Sequence, residues 1–134
     1  MKTRNVETFH ARDYLKRSEE CKNAMTHAFD SQDWNACVIT AVHCAISAAD
    51  AFCVLKKGRR SAEDHHAAAV SLFQEADPEN SEVKANAKRL SALLNIKTDA
   101  EYGERLLTQK DARQAQEHAI KLFGFVKSEL EKQF

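Results

Sequence analysis

The sequence predicts an all-α protein, an antiparallel bundle of about five helices in a single domain spanning residues 1–134. Three observations carry that prediction. Turn-forming residues are scarce, with 3 Gly and 1 Pro in 134 residues, whereas a sheet protein needs frequent turns. Apolar residues recur at spacings of three and four in several long segments, the period of one helix face. From Trp34 to Leu55 the only charged residue is Asp50, so this segment reads as a helix that is apolar all round and therefore buried on all sides.

The elements follow in order. A first helix over about residues 8–29 carries Tyr14, Ser18, Cys21, Met25 and Ala28/Phe29 on one face and Arg12, Lys16, Arg17, Glu19, Glu20 and Lys22 on the other. Ser31 or Asp33 can cap the second helix, over about residues 34–57. In it, Ala41, Ala45 and Ala49 stack one turn apart and allow a neighbouring helix to come close. Lys56-Lys57-Gly58 is a helix stop: cations favour the carbonyl end, and glycine tolerates the left-handed cap.

A third helix is expected over about residues 61–76, started by Ser61 with Glu63 and Asp64 in its first turn and ended by Asp77-Pro78. A fourth is expected over about residues 81–94, with the stripe Val83, Ala87, Leu90 and Leu93/Leu94. Residues 95–107 read as the longest irregular piece, part of which can continue the fourth helix. The fifth helix starts with Thr108 as cap and Asp111 as capping-box acid; Ala112, Ala115, Ala119, Leu122/Phe123, Val126 and Leu130 form its inner stripe.

Charge and cysteine usage narrow the classes. Lys+Arg and Asp+Glu balance at 20 each, which disfavours a generic nucleic-acid coat protein but leaves room for a local basic site. The four cysteines, at 21, 37, 44 and 53, form no CxxC pair and lie on helices, so they read as small buried hydrophobes rather than a disulfide framework. The opening MKTRNVETFHARDY has no apolar run, and no stretch is expected to reach the roughly 20 apolar residues of a membrane span. The expectation is a cytoplasmic protein without membrane contact. Glycine-rich phosphate loops, GxSxG and Walker patterns are missing, so nothing supports a nucleotide-hydrolysing reading.

A few residues could carry chemistry. Arg59, Arg60, His65 and His66 lie close in sequence; an arginine can hold phosphate charge while a histidine moves protons, the requirement for RNA cleavage without metal. The alternative is an exposed basic turn with a histidine that caps a helix or bonds to Asp50. Asp50 is costly in an apolar helix unless paired, so it is either a structural partner of Arg60, His65 or Lys97, or a general base or ligand-binding acid. Lys97, Asp99, Glu101 and Tyr102 form a polar cluster that lines a groove with Arg59 and Arg60 or is an ordinary salt-bridged loop. His43-Cys44 with His65-His66 is a poor metal site, because adjacent helical residues point about 100° apart and zinc spacing is missing. No metal and no cofactor are expected.

Four segments together resemble the HEPN domains, small antiparallel helical bundles of prokaryotes that usually dimerise. They are the opening hairpin ARDYLKRSEECKNAMTHAFDSQDWNACVITA, the Ala-rich AVHCAISAADAFCVLKKG, the turn and helix GRRSAEDHHAAAVSLFQE, and the closing KTDAEYGERLLTQKDARQAQEHAIKLFGFVKSEL. The resemblance implies an RNA-related setting, since many HEPN domains are RNases, often toxins paired with a small nucleotidyltransferase antitoxin. Their activity depends on an Arg followed after about four to six residues by a His, and in the well-studied branch this motif lies just before the last helix. Here that place, from Lys97 to Tyr102, holds no Arg and no His; Arg60 and His65 match the spacing at the earlier turn. The expectation is therefore a dimeric RNA-associated or partner-binding module without strong catalysis. The alternative is a metal-independent endoribonuclease using Arg60 as phosphate clamp and His65 or His66 as acid and base.

Overall fold

The computed structural model describes residues 2–62 and 66–133. Among them are five helices, α1 (Ala11–Asp30), α2 (Trp34–Lys57), α3 (His66–Ala76), α4 (Val83–Tyr102) and α5 (Gln109–Gln133). A two-stranded antiparallel ribbon, β1 (Thr3–Asn5) with β2 (Arg59–Ser61), is added to this all-α architecture and was not foreseen.

α2 is the axis of the bundle and packs against all four other helices. Half of its 24 residues are buried, including Ala41, Ala45 and Ala49. The small side chains let α1 lie close enough for the Ser18 hydroxyl to donate to the Cys44 carbonyl at 2.6 Å. Contrary to the sequence expectation, Trp34–Lys57 is long and apolar enough by length and composition to cross a membrane. Its enclosure by the other helices accounts for that hydropathy.

The predicted stripes turn inward. Met25 and Ala28 of α1, Leu72 and Phe73 of α3, Leu90 and Leu93 of α4, and Leu122 and Val126 of α5 are all buried. Each large apolar side chain removed from water in this way stabilises the fold by about 1.5–3 kcal/mol. Phe52, Phe73 and Phe125 join α2, α3 and α5, with ring centroids 5.0 to 6.4 Å apart, in the tilted and edge-on geometries that aromatic rings favour.

Two caps match the sequence reading. Gly58 ends α2 in the left-handed conformation (φ 64°), donating its N–H to the Val54 carbonyl. Thr108 and Asp111 form a reciprocal box before α5: the Thr108 N–H donates to Asp111 Oδ2 at 2.9 Å, and the Asp111 N–H donates to Thr108 Oγ1 at 3.3 Å.

Two boundaries differ. Ser61 does not cap α3 but ends β2, and α3 starts at His66; the expected first-turn acids Glu63 and Asp64 lie outside the described residues. α4 continues through the stretch read as irregular and stops at Tyr102. Its extension is held from the start of α2: Asn35 donates through Nδ2 to the Ala100 carbonyl at 3.0 Å and accepts the Leu107 N–H through Oδ1 at 2.8 Å. One side chain distant in sequence thus satisfies backbone groups at a helix end, and no local pattern shows it.

Candidate functional site

The ribbon brings together residues that the sequence keeps more than fifty positions apart. Its register pairs Thr3 with Ser61, Arg4 with Arg60 and Asn5 with Arg59. It is anchored where α2 stops, because the Val6 N–H donates to the Gly58 carbonyl at 2.8 Å. The basic pair expected in an exposed turn is therefore half-buried in a strand. Arg60 donates from Nη1 to the Ser61 carbonyl at 3.2 Å. Its Nε is shielded from solvent and has no hydrogen-bond partner among the described residues.

Beneath the ribbon lies Asp50. No described residue makes a hydrogen bond or ion pair with it, so the expected fixed pairing with Arg60 or Lys97 is not formed. Burial pushes its carboxyl up from 3.8 to about 7, against the opposing pull of the positive charges of Arg60 and then Arg17. A small enclosed cavity of about 20 Å³ adjoins it, lined by Asp50, Cys53, Ser61 and apolar side chains of α2, α3 and α4. That is room for roughly one water molecule. The neighbouring Cys53 thiol is pushed up to about 12 by burial and by the Asp50 charge, which makes it inert as a nucleophile.

His65, the proposed acid–base partner of Arg60, lies outside the described residues. His66 is half-buried as the first residue of α3.

Tyr102 does not share a groove with Arg59 and Arg60. Tyr102 closes α4 beside the start of α2, since Ala100 is bonded to Asn35, and it is exposed. Arg59 and Arg60 follow the opposite end of α2. The 24-residue helix between these ends is about 36 Å long. Lys97 lies one turn of α4 beyond Leu94, which lines the Asp50 cavity. Glu101 of the same cluster instead faces His43, at 3.8 Å. His43 is exposed on that side while Cys44 is buried against Ser18, so the two do not converge on one point.

A second polar cluster was missed in the sequence. Glu129 of α5 is 5% exposed. It lies 3.5 Å from Lys56 and 2.8 Å from Lys132, and accepts from Asn80 Nδ2 at 3.1 Å. Lys56 also reaches Asp77, at 3.4 Å. The signal was available: Glu129 follows Leu122 and Phe125/Val126 at helical spacing and so falls on the inner stripe.

Five helices around a buried apolar axis, with a basic ribbon over the half-buried Asp50 at one end, define an all-helical bundle. The chain belongs to the HEPN domain family, which it matches over residues 11–129. That span takes in nearly the whole bundle and leaves out β1. No protein of curated function matches it in sequence. Family membership supports an RNA-associated or nuclease-like module in general.

Proposed function

We propose that this protein is a cytoplasmic HEPN module that associates with RNA as a homodimer, in a toxin–antitoxin or nucleotidyltransferase setting, without strong catalysis of its own. The observation that carries the reading is the segment before the last helix. From Lys97 to Tyr102 it forms the final turns of α4, holds no Arg and no His, and spends Glu101 on His43. The segment itself supplies no imidazole to move a proton; the one beside it, His43, belongs to α2 and faces Glu101, with no arginine of the segment to hold a phosphate. Dimerisation is supported by the balanced net charge, which opposes no self-association, and by the large apolar side chains of Tyr102 and Leu106, each 82% exposed at the α4–α5 connection.

One observation favours the rival endoribonuclease reading: Arg60 makes no ion pair with a described residue, which leaves its charge to a phosphate. The readings separate in one assay. Purified protein is incubated with RNA in EDTA beside a His65→Ala/His66→Ala double variant. The expected result is no cleavage by either; cleavage by the parent that the variant loses establishes the endoribonuclease. Light scattering of the parent and of Tyr102→Ser/Leu106→Ser tests the dimer, which the variant is expected to weaken.

A further inference from the structure

The chain has no net charge, yet its cations are not evenly spread. Pairing β1 with β2 sets Arg4, Arg59 and Arg60 on one small ribbon, and Lys57 precedes it on the last turn of α2. None of the four makes an ion pair with a described residue. Arg4 and Arg60 are direct cross-strand partners, an arrangement of like charges that is unfavourable by itself. A two-stranded ribbon of three-residue strands has little stability to spare for that repulsion. The carboxylates that adjoin it among the described residues are Glu7, in the turn after β1, and Asp50 underneath. Glu63 and Asp64 follow β2 in sequence, outside the described residues.

An exposed aromatic side chain follows the ribbon closely in sequence. Gly58 lies against Val6 and Thr8, and the next residue, Phe9, is 62% exposed, with its ring 4.2 Å from that of His10. Cations that follow a backbone, next to an exposed ring on which a base can stack, are the two features that hold single-stranded nucleic acid without reading its sequence.

We propose that the β1–β2 ribbon, with Arg4, Lys57, Arg59 and Arg60, binds the phosphate backbone of single-stranded RNA, and that Phe9 stacks on one of its bases. This rests on the RNA-associated reading of the preceding section, and adds to it a surface half of which lies ahead of the family match. A polyanion laid across the ribbon removes the Arg4–Arg60 repulsion, and its oxygens accept from cations that no described residue pairs.

The test is fluorescence anisotropy of a labelled single-stranded RNA of about 12 nucleotides, titrated with the full chain at several salt concentrations from about 50 mM upward. The parent is expected to bind with steep salt dependence. Arg4→Gln/Arg59→Gln is expected to lose roughly tenfold or more in affinity, with a salt slope shallower by about 0.7 for each phosphate contact removed. Phe9→Ala is expected to weaken binding several-fold with the slope unchanged. Arg4→Lys keeps the charge and is expected to retain most binding, and Lys84→Gln/Lys88→Gln on α4 to leave it unchanged. Thermal melts show that each variant is folded, and Arg4→Gln alone, at an exposed position, serves if the double variant is not. Parent binding that the folded ribbon variants keep overturns this surface and spares the RNA reading. No binding by the parent even at low salt overturns both.

Discussion

Two acidic residues enter the bundle near the same end of α2, and the protein treats them in opposite ways. Glu129, on α5, is surrounded by Lys56, Lys132 and Asn80, so its charge is met by two ammonium groups and an amide donor. Asp50, on α2, meets no hydrogen-bonding partner among the described residues and is held only by the more distant charges of Arg60 and Arg17. A buried charge that is paired on several sides is a structural clamp. A half-buried carboxyl left without direct partners costs stability, and sequences keep such costs mainly where function needs them. The contrast marks the Glu129 side as architecture and the Asp50 side, under the basic ribbon, as the place to look for chemistry.

The largest effect is expected on the clamped side. Glu129→Ala takes the acceptor from Asn80 and leaves Lys56 with Asp77 alone, and should destabilise the protein by about 3 kcal/mol, the upper end of what a lost buried partner costs. Urea denaturation measures it. A loss below about 1 kcal/mol, the range of an exposed pair, would erase the distinction drawn between the two carboxylates.

Asp50→Asn should act in the other direction, and only over part of the pH range. In the unfolded chain the carboxyl releases its proton near 3.8; in the folded protein it does so near 7. The folded state therefore holds the extra proton between these values. The parent loses stability as pH rises from about 4 to about 7 and stays low above that. The asparagine variant has no such loss. It should be more stable than the parent at pH 8 in urea denaturation, with the difference vanishing toward pH 4. Equal stability at both pH values would mean that Asp50 has a direct partner after all.

The same contrast explains what could be read from the sequence. α2 was legible because a nearly charge-free run of its length has one interpretation, and its end because Lys56-Lys57-Gly58 writes a helix stop locally. The Thr108–Asp111 box was legible for the same reason: both partners lie within one turn. The ribbon was not. TRN and RRS have no alternating apolar pattern, and their pairing joins residues 3–5 to residues 59–61 across two helices. The far end of α4 was hidden likewise, because Asn35 lies 65 residues from the carbonyl it satisfies. For the candidate site, the fixed pair expected between Asp50 and Arg60 is replaced by a longer-range influence of the Arg60 charge, while the grouping of Tyr102 with Arg59 failed on the length of α2. Short-range chemistry is written in short-range spacing; the site is built from long-range pairing.

The smallest and most specific effects concern the two arginines. Both hold the Asp50 carboxyl below where burial alone would place it, Arg60 more strongly than Arg17. Arg60→Gln should therefore move the Asp50 titration upward from about 7, and Arg17→Gln should move it upward by less. Carboxyl chemical shifts followed by NMR across pH 5 to 9, about two units on either side of that midpoint, resolve the order. Reversal of the order would mean that the ribbon side chain is directed away from Asp50. The ribbon proposal adds a third arm. A phosphate seated on Arg60 cancels the same positive charge that Arg60→Gln removes, so single-stranded RNA should also raise the parent's Asp50 titration and should leave that of the Arg60→Gln variant nearly where it was. RNA that binds without moving it contacts some other part of the molecule.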